Sequence, residues 1–180
     1  MGRDGWGLAN RWQAVLGAGC LVLLLLVSGC GYHRPGQLTS GRAAPTVHLA
    51  AFGNDTTRPG LQAIVAAAIQ RQLLLDARIP VVEEARADLI LLGRVSAYGV
   101  EALAFDQSDI GRRFRVRVIA TIVASSRTEN RVRFQGNFWG EAYYTAADTV
   151  QAVRAAEEDA VRRAALDLAG QVASRLLEEW

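Results

Sequence analysis

Hydrophobic residues along this chain fall into blocks whose internal spacing changes from one block to the next. The first, Ala14–Val27, is continuous, with leucine dense from Leu21 to Leu26. Thr46–Phe52 (TVHLAAF) is short, apolar and partly β-branched, which predicts a strand. In Leu61–Ala77 the positions Leu61, Ile64, Val65, Ala68, Gln72 and Leu75 keep the i, i+3, i+4 stripe of a helix, with one polar lapse. Ile79-Pro80 ends it, since the residue before proline is biased away from helix. Val81 and Val82 form a short extended piece, and Glu83–Arg86 a polar turn. Ala87–Tyr98 contains the unbroken run Leu89–Leu92, suited to a strand covered on both faces or placed centrally.

Two segments then alternate. In Phe114–Ala124 the residues Phe114, Val116, Val118, Ala120 and Ile122 share a face. In Arg131–Tyr144 the corresponding set is Val132, Phe134, Gly136, Phe138, Gly140 and Ala142. The polar Ser125–Asn130 joins them at hairpin length. Joining the apolar faces favours a register with Ile122 opposite Val132 and Phe114 opposite Gly140. Arg115 would then face Trp139 and Arg113 would face Glu141. Last comes an alanine-rich helix from Thr149 to about Glu178, with a buried stripe of Val153, Val161, Ala164, Leu168, Val172 and Leu176.

Between blocks, turn chemistry agrees. Gly53–Gly60 (GNDTTRPG) offers Thr57 as a cap and Pro59 where a missing N–H costs nothing. Gly99–Gly111 reads as a longer connection. Asp148 with Gln151 resembles a capping box. Glu158 with Arg162 and Asp159 with Arg163 are i, i+4 ion pairs in the favourable order. The expected fold class is α+β: a two-layer sandwich with two helices on one face of a four-stranded, mixed but mostly antiparallel sheet, in the order β-α-β-β-β-α.

The first block changes the picture most. Arg3 and Arg11 precede it, it is short for a permanent membrane span, which needs ~20 residues, and it ends in Val27-Ser28-Gly29-Cys30. Apolar, small, small, cysteine is a lipobox. The expectation is a lipoprotein precursor cut before Cys30, whose thiol carries a diacylglyceryl group and whose new amine is acylated. Each buried acyl methylene contributes roughly 0.8 kcal/mol, and two or more chains anchor stably. The organisation expected is a signal peptide over 1–29, a lipidated tether over 30–45 and one domain over 46–180. Cys20 lies in the discarded signal, so the folded part has neither a disulfide nor a thiolate metal site.

Charge and chemistry add constraints. The chain has 20 basic and 18 acidic residues, and losing Arg3, Arg11 and Asp4 leaves it near neutral, which implies no nucleic-acid partner. Every cation is an arginine, suited to bidentate contact with phosphate or carboxylate. No catalytic set is visible. His33 and His48 lack companions at metal-ligand spacing, and Ser96, Ser108, Ser125, Ser126 and Ser174 lack a nucleophile elbow. Asp106 and Asp109 read as loop carboxylates. The informative polar feature is a row of arginines on one side of the hairpin: Arg113, Arg115, Arg117, Arg131 and Arg133, with Trp139 and Ile119 adding apolar surface. It reads either as a solvated face that discourages aggregation or as a surface for an anionic lipid or partner.

Several stretches together resemble the LptE-type lipoproteins of lipopolysaccharide assembly. They are Cys30-Gly31-Tyr32-His33, then Phe52-Gly53-Asn54-Asp55-Thr56 followed by Pro59-Gly60-Leu61, then Ala87-Asp88-Leu89-Ile90-Leu91-Leu92-Gly93-Arg94-Val95, then Ala104-Phe105-Asp106 and the alanine-rich last helix. The resemblance covers nearly all of the chain after Cys30. It implies a non-enzymatic lipoprotein without cofactor, at the periplasmic face of the outer membrane. Its partners would be lipopolysaccharide and an LptD-type β-barrel in which it sits. Gly31 after the cysteine, in place of aspartate, fits outer-membrane sorting. The Phe-x-Asn-x-Thr turn before a helix is also similar to LpoB-like activators of penicillin-binding proteins and to CsgG-like secretion lipoproteins.

Overall fold

The computed structural model describes residues 45–76, 79–105, 107 and 111–178, all within the unit Arg42–Trp180. The expected signal, Cys30, the tether, His33, Asp106, Ser108 and Asp109 lie outside the described residues.

The elements in order are β1 (Val47–Leu49), β2 (Gly53–Asn54), α1 (Leu61–Leu75), a 3-10 turn (Glu84–Arg86), β3 (Leu89–Phe105), β4 (Gly111–Ser126), β5 (Arg131–Thr145) and α2 (Val150–Glu178). The sheet runs β1-β3-β4-β5, with β2 also on β3. β1 and β2 pair with β3 in parallel, while β3–β4 and β4–β5 are antiparallel. The sheet is therefore mixed, as a crossover through α1 requires. It has five strands where four are expected, because Gly53–Asn54 adds to β3 before the turn begins.

One face of the sheet is the core. Val116, Val118, Ala120, Ile122 and Ala124 of β4 pack with Val161, Ala164, Leu168, Val172 and Leu176 of α2, all buried. Burying each Val, Leu or Ile contributes roughly 1.5–3 kcal/mol. The alanines of α2 favour helix and keep its face flat, so its backbone comes close to the sheet. A Cβ on Gly140 of β5 would stand 1.8 Å from the Ala164 carbonyl oxygen. Glycine there is what lets the helix settle.

Several local expectations are corrected. β3 does not stop at Tyr98: Val100 pairs with Val116 and Ala102 with Phe114, so Gly99–Gly111 is mostly strand and not a long connection. Alternation alone fixed the β4–β5 faces but not the offset. Ile122 faces Gly136 and Phe114 faces Tyr144, four residues from the expected register. An even shift leaves the faces unchanged as far as the Ala124–Phe134 pair. Beyond it a one-residue shift pairs Val132 with Ser125 and Arg131 with Ser126, so Val132, expected inward, is exposed and Arg131 lies on the helix side of the sheet. The tight turn is placed by Asn130, whose φ of 48° supplies the left-handed residue. Arg117, not Arg113, therefore faces Glu141, and Ile119, not Arg115, faces Trp139.

The helix starts also differ. Gly60, at φ 77°, occupies the N-cap of α1, with no side-chain cap from Thr57. On α2, Thr149 Oγ1 accepts from the Ala152 N–H at 3.2 Å, in the role expected of Asp148. The buried stripe of α1 is Leu61, Val65, Ala68, Ile69 and Leu73, while Leu75 is exposed. Arg163 binds Asp159 at 2.8 Å as expected, whereas Arg162 also turns to Asp159, at 3.7 Å, rather than to Glu158.

Candidate functional site

The face of the sheet opposite the helices carries Arg113, Arg115 and Arg117 of the expected arginine row; the bulge at the start of β5 pairs Arg131 with the buried Ser126 and so takes it off this face. Among the described residues no element covers that face. Antiparallel pairing places the row at two ends, not in one patch. Arg113, Arg115 and Arg117 lie toward the β3–β4 connection, while Arg131 and Arg133 flank the β4–β5 turn. Arg117 and the turn are nine residues apart along β4, about 30 Å at ~3.3 Å per residue. Between them run Ile119, Thr121 and Val123 beside Trp139, Asn137 and Gln135. Trp139 is 53% exposed and Leu92, on β3, 45%. The middle of the face thus mixes exposed apolar side chains with Thr121, Asn137, Gln135 and Arg94, and the end toward the β3–β4 connection is cationic.

The guanidinium groups are already engaged. Arg115 binds Glu101 of β3, and Arg117 binds Glu141 of β5. Glu141 also lies 3.9 Å from Arg115. The Glu101 hydrogen bond holds the Arg115 pKa above its ordinary value. Arg113 stacks over the Tyr143 ring at 5.5 Å. At the other end Arg131 and Arg133 share Glu129, Arg133 at 2.8 Å. Five cations meet three carboxylates, so each end keeps positive charge while its side chains are held in place. Exposed pairs of this kind add little stability. Their effect is to present guanidinium planes in fixed positions.

The opposite edge of the sheet explains two of the sequence stretches, Phe52–Thr56, which contains β2, and Ala87–Val95, which opens β3. Phe52 lies across β3, and a Cβ on Gly93 would stand 2.2 Å from its ring. Asp55 binds Arg94 at 2.8 Å. The Asn54 side chain closes the turn: its Oδ1 accepts from the Thr56 N–H at 3.0 Å and hydroxyl at 2.7 Å, and its Nδ2 donates to the Arg58 carbonyl at 2.8 Å. Asp88 accepts from the Thr46 hydroxyl at 2.7 Å and N–H at 2.9 Å, and these bonds hold its carboxyl below its ordinary pKa. The Phe52–Thr56 and Ala87–Val95 stretches are mates in one structural joint.

That joint ends in a cluster invisible in the sequence. Arg58 donates to the Tyr98 hydroxyl at 2.6 Å, Tyr98 donates to Glu157 of α2 at 2.7 Å, and Arg58 binds Glu157 directly. Burial and then the Glu157 bond push the Tyr98 phenol up, so it stays a neutral donor. Burial alone would raise the Glu157 carboxyl, but Tyr98 and Arg58 outweigh it and hold the pKa low. The three residues come from a turn, a strand and a helix, and no spacing rule connects them.

The remaining candidates have structural partners. His48 Nδ1 sits 3.2 Å from the Val82 carbonyl. Ser96 and Ser125 donate to the Ile119 and Ile90 carbonyls, and Ser126 meets Thr128. Ser174 lines an open groove between α2 and Phe138. Among the described residues no three His, Cys, Asp or Glu side chains gather at metal-binding distance, and no helix is long and apolar enough to cross a membrane.

Comparison with known proteins follows the same outline. No curated protein matches the sequence. Solved structures share the fold at low identity. A protein from Xanthomonas campestris aligns with TM-score 0.54 and 13% identity over 75% of this chain and 85% of its own. A candidate lipoprotein from Caulobacter crescentus gives 0.51 and 15% over 71% and 89%. A Chlamydia trachomatis protein gives 0.51 and 10% over 74% and 96%. The family described as LptE, lipopolysaccharide-assembly, matches residues 44–176, nearly the whole described domain. By that match the chain belongs to the LptE lipopolysaccharide-assembly family.

Proposed function

We propose that this protein is an outer-membrane lipoprotein subunit of the lipopolysaccharide translocon. It is held by acyl chains on Cys30 at the periplasmic face and acts as partner and plug of an LptD-type β-barrel. The carrying observation is the family match over residues 44–176, lying directly after a lipobox and a short tether. The signal occupies 1–29, the tether 30–45 and the domain 46–180. The subunit performs no chemistry of its own; it holds shape and charge where lipopolysaccharide passes. Recovery of an LptD-type barrel with the tagged, membrane-extracted protein is the expected result. Recovery of a peptidoglycan synthase or a secretion pore in its place would overturn the reading.

Within that role, the hairpin arginines are the candidate contacts for lipopolysaccharide phosphates: Arg113, Arg115 and Arg117 on the open face, Arg131 and Arg133 beside the β4–β5 turn, with Trp139 between. Guanidinium groups suit bidentate phosphate binding, and Glu101, Glu141 and Glu129 keep them oriented. Replacing Arg115 and Arg117 by Gln leaves no like-charge clash with Glu141. It is expected to weaken lipopolysaccharide binding about tenfold or more at low salt, and less at high salt. Binding unchanged at both would remove the arginines from the site.

A further inference from the structure

Three side chains of α2 reach over the edge of β5. Arg163 donates to the Tyr143 carbonyl at 2.9 Å, Asp167 accepts from the Glu141 N–H at 3.0 Å, and Gln171 donates to the Trp139 carbonyl at 2.7 Å. The three stand four residues apart on one stripe of the helix and meet every second residue of the strand. Four helical residues rise about 6 Å and two strand residues about 6.6 Å, so the two rows stay in step. Asp159 steadies the first of them, binding Arg163 at 2.8 Å.

The strand residues they hold share a second property. In an antiparallel strand, backbone groups turn alternately to the neighbouring strand and to the free edge, and side chains alternate between the two faces with the same period. On β5 the edge-turned residues Trp139, Glu141 and Tyr143 have their side chains on the open face, opposite Ile119, Arg117 and Arg115. Two of them are the β5 partners of the arginines. Glu141 binds Arg117 and lies 3.9 Å from Arg115. Tyr143 has Arg113 over its ring at 5.5 Å, and its hydroxyl donates to Glu141 at 3.4 Å. An exposed arginine loses much rotamer freedom when it is held, and a carboxylate fixed in advance lowers that loss.

We propose that Arg163, Asp167 and Gln171 are positioning residues for the cationic end of the open face. By fixing the backbone of Trp139, Glu141 and Tyr143, α2 sets where Glu141 and Tyr143 hold the guanidinium groups of Arg113, Arg115 and Arg117. The helix layer and the arginines, on opposite sides of the sheet, are thereby coupled. The positioning needs no ligand; its effect on anion binding rests on the function proposed above.

Asp167→Ala in the full chain separates positioning from plain electrostatics, because the two predict opposite signs. Removing a carboxylate makes the protein more positive, so long-range attraction alone would tighten the binding of an anionic lipid. Lost positioning weakens it. At low salt Asp167→Ala is expected to bind purified lipopolysaccharide about threefold more weakly, the scale of one net hydrogen bond. Asp167→Asn loses the same charge but keeps an acceptor oxygen, and is expected to restore most of the affinity. Glu158→Ala makes the same change of charge at an exposed position of α2 and is expected to bind as the parent does or slightly tighter. A second readout needs no ligand: the NMR signal of the Arg117 Nε–H, which donates to Glu141. It is expected to shift and to exchange faster with water in Asp167→Ala, but not in Asp167→Asn or Glu158→Ala. An Arg117 signal unmoved by Asp167→Ala would overturn the proposal. So would Asp167→Ala binding as well as Glu158→Ala while Arg117→Gln binds more weakly. A moved signal, with the parent and Arg117→Gln binding lipopolysaccharide alike, would uphold the positioning and remove the anion reading instead.

Discussion

Gly140 and Glu157 are where single residues decide most. At Gly140 the nearest atoms to an added Cβ are the Ala164 carbonyl and the Leu168 nitrogen, both helix backbone, which cannot rotate aside. Gly140→Val is expected to cost about 3 kcal/mol or more in denaturant unfolding, at the upper end of overpacking penalties. Gly99→Ala, with open space around it, is expected to change stability little. Glu157 carries the pH dependence. Its folded pKa lies below its ordinary value, so its contribution is complete above about pH 4.5 and is lost as pH falls through the lower folded value. Asp88, held low by Thr46, acts in the same direction. Glu157→Gln is therefore expected to be less stable at neutral pH and to lose less stability between about pH 5 and 3. A parallel acid transition in both proteins would show that the Arg58–Tyr98–Glu157 cluster contributes nothing.

Among the elements, α2 does two tasks. Its apolar stripe covers the sheet, and Arg163, Asp167 and Gln171, four residues apart, cap the β5 edge. Asp167→Ala is expected to cost about 1 kcal/mol and to speed hydrogen exchange of the Glu141 amide, while buried amides are unaffected. At this scale the sequence was largely readable. Helix periodicity located α2 and its stripe, and alternation located β4 and β5 with the correct inward faces except at Val132, which a bulge turns outward. Three things were not readable. Parity cannot see an even register shift, so the β4–β5 offset followed from Asn130 and not from the pattern. Gly99 suggested a break, but cross-strand pairing with Arg117 carried β3 through it. The Arg58–Tyr98–Glu157 cluster joins residues 40 and 59 positions apart, which only the folded chain brings together.

The described domain is a helix layer on a sheet whose other face no described element covers, mixed polar and apolar in the middle and cationic toward the β3–β4 connection. The arginine row was visible as a pattern. Its division into two ends, and its carboxylate partners Glu101, Glu129 and Glu141, needed the register. Membership of the LptE family assigns this architecture to lipopolysaccharide assembly. The role proposed for the protein is delivery of lipopolysaccharide to the outer leaflet. Depleting it in its own cells and labelling lipopolysaccharide at the cell surface is the decisive test of that role. The expected result is a fall in newly delivered surface lipopolysaccharide before other envelope functions fail, restored by the intact protein. Undiminished surface delivery in depleted cells, with cell-wall synthesis or secretion failing first, would contradict it.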